Sequence, residues 1–214
     1  MGTFGTFNFV AGVSTTADER RPRINADGTL LLMNSAAGGT NDILIATRGN
    51  ASGRFSAPAL VENINSTTAD DGDPYLTVDG TTLYFDSGRT SGKGGNDIYT
   101  APVTNGSFGQ PQILPGTIVN TADNEAVPVP SRDGLLLYFT RYVASSPTNY
   151  DIYVAKRAAT TDTFATIEVL TILNSPAIDY PLELSPDQCT LYFASNRTPG
   201  SGGYDIYAAT RGKN

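Results

Sequence analysis

The sequence contains no histidine and no tryptophan, only one cysteine and two methionines. Without histidine there is no Ser-His-Asp triad, no imidazole acid–base pair and no His-ligated zinc. The lone Cys189 excludes an intramolecular disulfide and a thiolate metal cage. Its place in an apolar run predicts a small buried hydrophobe. Charge is also scarce, at 16% of residues, and the net value of −7 comes with no basic cluster. That balance argues against nucleic acid and anionic membrane surfaces as partners, since both require a basic face. Apolar runs are only a few residues long, so no membrane insertion is expected. The opening MGTFGTF has neither a charged n-region nor an apolar h-region, and no signal peptide is expected in it.

Turn formers and β-formers are plentiful, with 22 glycines, 13 prolines, 11 tyrosines and 9 phenylalanines. Together with the low charge they predict an all-β chain. A length of 214 residues suits one domain covering 1–214 better than two.

Self-similarity is the dominant signal. The segments ADGTLLLM, VDGTTLYF, RDGLLLYF and PDQCTLYF carry Asp27, Asp79, Asp133 and Asp187 at intervals of 52, 54 and 54 residues. A second marker, NDIL, NDIY, YDIY and YDIY, carries Asp42, Asp97, Asp151 and Asp205 with nearly the same period. Each repeat reads as four strands: an inner strand before the Asp-Gly turn, the LYF strand after it, the DIY strand, and an outer strand near Phe55, Phe108 or Phe164. Four antiparallel strands per unit predict a four-bladed β-propeller rather than a solenoid. The repeats begin near residues 22, 74, 128 and 181.

Residues 1–26 then serve as closing strand and connecting loop. FGTFNFVAGV at 4–13 matches FGQPQILPG at 108–116. It is expected to supply the outer strand missing after the last DIY, removing two open edges. A swap between chains into a larger ring is the alternative, although a monomer is expected.

LSPDQCTLYFASNRTPGSGGYDIYAATR at 184–211 and DGTTLYFDSGRTSGKGGNDIY at 79–99 resemble the repeats of the TolB-like, WD-repeat-like propeller family. The resemblance spans essentially the whole chain. It implies a propeller that serves as an interaction platform, in the periplasm or outside the cell, while aromatic rings beside Gly and Ser loops suit a protein or carbohydrate ligand. The first repeat departs by reading NSAAGG, without the arginine of S-x-R, and the fourth puts Gln188 where the turn glycine stands.

Three sets of residues are candidates. Asp42, Asp97, Asp151 and Asp205 follow Gly-rich turns and are expected to cap them, with Arg89, Arg141 and Arg197 close enough in sequence to pair with them. Glu19, Asp71 or Asp73, Glu125 and Asp179 lie in the connections to the inner strands. If they converge at the axis, they suit a hard cation such as Ca²⁺; otherwise no cofactor is expected. By strand alternation, Asn25, Thr77, Ser131 and Ser185 form one channel-facing ring and Arg23, Tyr75, Val129 and Glu183 a second, more variable one. Ile24, Leu76, Pro130 and Leu184 then pack between blades. Arg23 and Glu183, made neighbours by ring closure, either pair across the channel wall or each reach solvent at its mouth.

No residue is assigned a catalytic role. The reading is a non-catalytic binding or scaffold propeller with tyrosines such as Tyr142, Tyr150 and Tyr204 on its loops. The alternative is a carboxylate-based hydrolase, which needs two acidic groups and no histidine. An asymmetric acidic pair with one raised pKa would favour the enzyme, and a patch of Tyr, Asn and Arg the binder.

Overall fold

The computed structural model describes residues 10, 12–36, 39–146 and 148–212, and among these it contains sixteen strands and no helix. The first blade is β1 (Glu19–Ile24), β2 (Leu30–Ser35), β3 (Asp42–Thr47) and β4 (Ala59–Leu60). The second is β5 (Asp71–Leu76), β6 (Thr82–Ser87), β7 (Asp97–Thr104), and two short pieces, β8 (Ser107–Phe108) and β9 (Gln112–Ile113), which both pair with β7. The third is β10 (Asn124–Pro130), β11 (Leu136–Tyr142), β12 (Asp151–Lys156) and β13 (Thr166–Val169). The fourth has β14 (Asp179–Leu184), β15 (Thr190–Ser195) and β16 (Asp205–Thr210) among the described residues. Every pairing between the strands is antiparallel, and the four sheets form a four-bladed β-propeller. The predicted closing strand at 4–13 lies almost wholly outside the described residues.

The repeated residues build each blade in the same way. Gly28, Gly80 and Gly134 take φ near +70°, as the Asp-Gly hairpin requires. Gln188 takes φ +60° in the fourth turn and ties it to its neighbour, its Oε1 accepting the Arg132 N–H at 2.8 Å. Thr77, Ser131 and Ser185 bond within their own turns. Their hydroxyls close the turns on Asp79, Asp133 and Asp187 at 2.7, 2.6 and 2.6 Å, and Asn25 likewise binds the Thr29 N–H. A short hydroxyl two residues before a turn carboxylate is well placed to meet it.

The LYF and DIY strands supply paired rings, Phe85 with Tyr99, Phe139 with Tyr153 and Phe193 with Tyr207, at 5.4–5.9 Å, the first pair tilted and the other two stacked. The arginine of S-x-R folds over each pair, with Arg89, Arg141 and Arg197 about 5 Å from the tyrosine rings. These arginines do not pair with the turn-capping aspartates. They reach past them to the buried carboxylates of Asp71 (2.5 Å), Glu125 (2.8 Å) and Asp179 (2.6 Å). Stacking fixes the guanidinium over the rings, and the buried acid is the charge that most needs a partner there.

Asn65, Asn120 and Asn174 add a second staple. Each exchanges two hydrogen bonds with the backbone of Ile43, Ile98 or Ile152 in the blade before.

The joints between blades one and two, two and three, and three and four are apolar. Leu32, Ile43, Ile64, Leu83 and Phe85 fill the first, and Val129, Phe139, Leu184 and Phe193 belong to the cluster that fills the other two. Burying such a side chain contributes about 1.5–3 kcal/mol. Among the described residues, no apolar cluster spans blades four and one. Ile24, expected between blades, is 56% exposed for that reason. Cys189 is half-buried rather than core, because it sits at the end of the fourth hairpin turn, with its N–H on Asp187. No helix of the described residues is long and apolar enough to cross a membrane.

Candidate functional site

Each inner strand carries a β-bulge at the same point, which turns a side chain toward the axis. The irregularities fall between Arg20 and Arg23, Gly72 and Tyr75, Ala126 and Val129, and Pro181 and Glu183. In three blades the bulge residue precedes a proline and has positive φ: Arg21 at +54°, Asp73 at +47° and Val127 at +54°. That conformation is strained for a β-branched valine, and such strain concentrates at binding sites. Proline cannot adopt it, so in the fourth blade, where Pro181 stands, the bulge moves to Leu182.

Arg21, Asp73, Val127 and Leu182 thus surround an axial cavity of about 780 Å³. Four tyrosines line it as well. Tyr142 stacks on Tyr150 at 3.9 Å with the planes 10° apart, and Tyr180 tilts against Tyr204 at 5.5 Å. The Arg21 guanidinium lies over Tyr180 at 4.3 Å, and its Nε stands 2.9 Å from Asp73 Oδ1 without the alignment of a hydrogen bond.

Asp86 faces Asp73 in the wall of this cavity. It is 6% exposed and has no ion-pair partner among the described residues. Burial, and then the adjoining Asp73 carboxylate, push it well above the usual carboxylate range. Asn34, also 6% exposed, lines the same wall, and its Oδ1 has no hydrogen-bond partner.

Below lies the variable ring. Glu183 accepts a hydrogen bond from Tyr75 Oη at 2.7 Å and pairs with Arg23 Nη1 at 3.1 Å. Arg23 also donates to the Leu182 carbonyl and stands 5.0 Å from the Tyr75 ring. Burial, and then Glu183, push the Tyr75 phenol up. Val129 is wholly buried and adds no polar group. The three polar members separate the upper cavity from a lower one of about 290 Å³, which Asn25, Thr77 and Arg132 help to line.

The remaining candidates are dispersed. Asp71, Glu125 and Asp179 are each held by an arginine and by the backbone N–H of Ser66, Thr121 or Ser175. Glu19 binds the N–H of Thr15. The predicted convergence of these carboxylates does not occur, and among the described residues no three acidic groups lie close enough to share a metal. Each acid is spent on its own loop, and only Asp73 reaches the cavity. Among the turn-capping aspartates, Asp97 accepts the Lys93 and Gly94 N–H groups and Asp205 that of Ser201. Burial is the first cause that raises the carboxyls of Asp42 and Asp151.

Sequence reasoning missed Arg21, Asn34 and Asp86. Asn34, Asp86, Thr140 and Ala194 all follow the aromatic or methionine residue of the LYF strand. A position where aligned repeats disagree between polar and apolar was the available signal.

Neither a family model nor a curated protein matches the sequence. Solved structures do match in fold. A protein named as a TolB of Agrobacterium tumefaciens aligns over 92% of this chain and 59% of its own length, with a TM-score of 0.59 and 20% identity. An α-L-arabinofuranosidase from Podospora anserina, solved with cellotriose, aligns over 96% of this chain and 67% of its own, with a TM-score of 0.56 and 9% identity. A β-1,2-mannobiose phosphorylase from Listeria innocua aligns over 89% and 56%, with a TM-score of 0.56 and 14% identity. The chain therefore spans about three-fifths of the TolB protein it resembles, and what it shares with that protein is the TolB-like β-propeller fold, here in four blades.

Proposed function

We propose that the chain is a non-catalytic binding propeller whose axial cavity takes a short carbohydrate. The observation that carries this reading is the cavity wall, where tyrosine faces stand beside exposed polar groups of both charge signs. Sugar rings present apolar C–H faces and a rim of hydroxyls. The Tyr142–Tyr150 stack suits the first, and Arg21, Asp73 and the neighbouring asparagines suit the second. Carbohydrate-bound enzymes among the structural neighbours support the choice of ligand class.

The hydrolase reading needs two carboxyl groups about 5–9.5 Å apart, with room for the sugar bond or a water between them. Asp73 and Asp86 adjoin each other in the cavity wall, too close for this pair to leave such room, which favours binding over hydrolysis. An extracytoplasmic address, as in the resemblance to envelope propellers, belongs to the same reading.

Calorimetric titration with xylo-, cello- and manno-oligosaccharides tests it. One series should bind, and Tyr142→Ala should weaken that binding about tenfold. Binding of peptides instead would transfer the site to a protein partner. Release of shorter sugars would establish the hydrolase.

A further inference from the structure

Asp86 poses a problem that the carbohydrate reading does not solve. It is a carboxylate 6% exposed, with a second carboxylate, Asp73, against it. Its donors are distant: Asn96 Nδ2 and the Val127 N–H each stand 3.4 Å away, at the outer limit of hydrogen bonding. Arg21 is the one cation that the described residues set against the pair, so the two carboxyls, both ionised, would carry one negative charge more than it balances. Buried like charges in contact stay ionised only when something positive lies between them; otherwise one carboxyl keeps its proton.

Asn34 is the independent observation. It stands across Gly72 from Asp86: a Cβ built on Gly72 would be 3.8 Å from Asp86 Oδ2 and 3.9 Å from Asn34 Nδ2. The amide's Oδ1 is buried without a partner, and a half-turn of the amide, which leaves its shape unchanged, presents that oxygen on the Gly72 side, where Asp86 also lies. A buried acceptor of this kind is rarely left unpaired.

We propose that Asn34, Asp73 and Asp86 form a binding site for one hard divalent cation, Ca²⁺ being the best match. The donors are all oxygens, which excludes a preference for soft metals. They come from an irregular bulge and two neighbouring strands, an arrangement that tolerates the variable geometry of Ca²⁺ better than the strict octahedron of Mg²⁺. The site opens into the axial cavity, so waters or ligand hydroxyls can complete the shell. It stands independently of which ligand the cavity takes.

The test uses the full chain, freed of metal with a chelator and titrated with Ca²⁺ or Mg²⁺ alone, by calorimetry and thermal melting. Ca²⁺ should bind once per chain and raise the melting temperature by several degrees, with Mg²⁺ at least tenfold weaker. Asp86→Asn should weaken Ca²⁺ at least tenfold, whereas Asp133→Asn, at a turn on the other face, should leave it unchanged. Asn34→Asp, which keeps the shape and adds a carboxylate, should tighten Ca²⁺ about tenfold, and this second variant decides the matter if Asp86→Asn does not fold. The proposal is overturned if millimolar Ca²⁺ gives neither heat nor a melting shift, or if Asn34→Asp binds no more tightly than the parent.

Discussion

Arg23 and Glu183 are 160 residues apart in sequence and 3.1 Å apart in space, in the first and the fourth blade. Neither is fully buried, with side chains 21% and 46% exposed, so solvent weakens their attraction. A double-mutant cycle with Arg23→Met and Glu183→Gln should give a coupling on the order of 1 kcal/mol. A value near zero would show that the pair does not persist in solution.

The stacked arginines belong to a different energy class. Glu125 is fully buried and Arg141 is its only cation among the described residues, so Arg141→Met should cost about 3–5 kcal/mol in denaturant unfolding. Adding Glu125→Gln should recover most of that loss, because the cost comes chiefly from the stranded charge. If the double variant is no better than the single, ring stacking rather than charge dominates.

Acid should reveal the hairpin turns. Hydrogen bonds from Thr29, Thr77, Ser131 and Ser185 are the largest causes that hold Asp27, Asp79, Asp133 and Asp187 below 3.8. A depressed folded pKa gives stability that is fully present above 3.8 and is lost as pH falls through the folded value. Melting temperature should therefore drop below about pH 4, and replacing all four aspartates by asparagine should flatten that drop. Asp42, Glu125 and Asp151 act in the opposite sense. Their folded pKa values are raised, chiefly by burial, so their contribution is present at low pH and is lost as pH rises through those values. Stability should peak in mild acid rather than at neutrality.

Asp97→Ala should cost about 1–2 kcal/mol, since its carboxylate accepts two backbone N–H groups of the Gly-rich turn. Chemical denaturation against the parent measures this. A change below a few tenths would mean that the turn holds itself.

Much of the fold was legible because its causes are local and periodic. Asp-Gly turns, LYF and DIY recur, and each states its own strand. The Arg23–Glu183 contact was one of two arrangements that ring closure and alternation left open, and the structure has the pair. The cavity was not legible, because bulges at Arg21, Asp73 and Val127 break the alternation on which inward-facing residues were counted. The partner of each S-x-R arginine was also hidden. Asp97 is nearer in sequence to Arg89, whereas Asp71 is nearer in space. Asn65, Asn120 and Asn174 hold the period as well as the aspartates do, yet an asparagine in a loop carries no visible sign of what it will clasp.

Three joints of the ring are apolar, while the described contacts of the fourth are polar. The molecule can accordingly be viewed as a strip of blades bent round until its ends latch. Apolar joints select for matching shape and resist being re-cut. A latch of charges and hydroxyls asks only for complementary groups at two ends, so it is the point where a repeat could be gained or lost without disturbing the rest. Blade number, on this view, is the quantity that such a protein can change most easily.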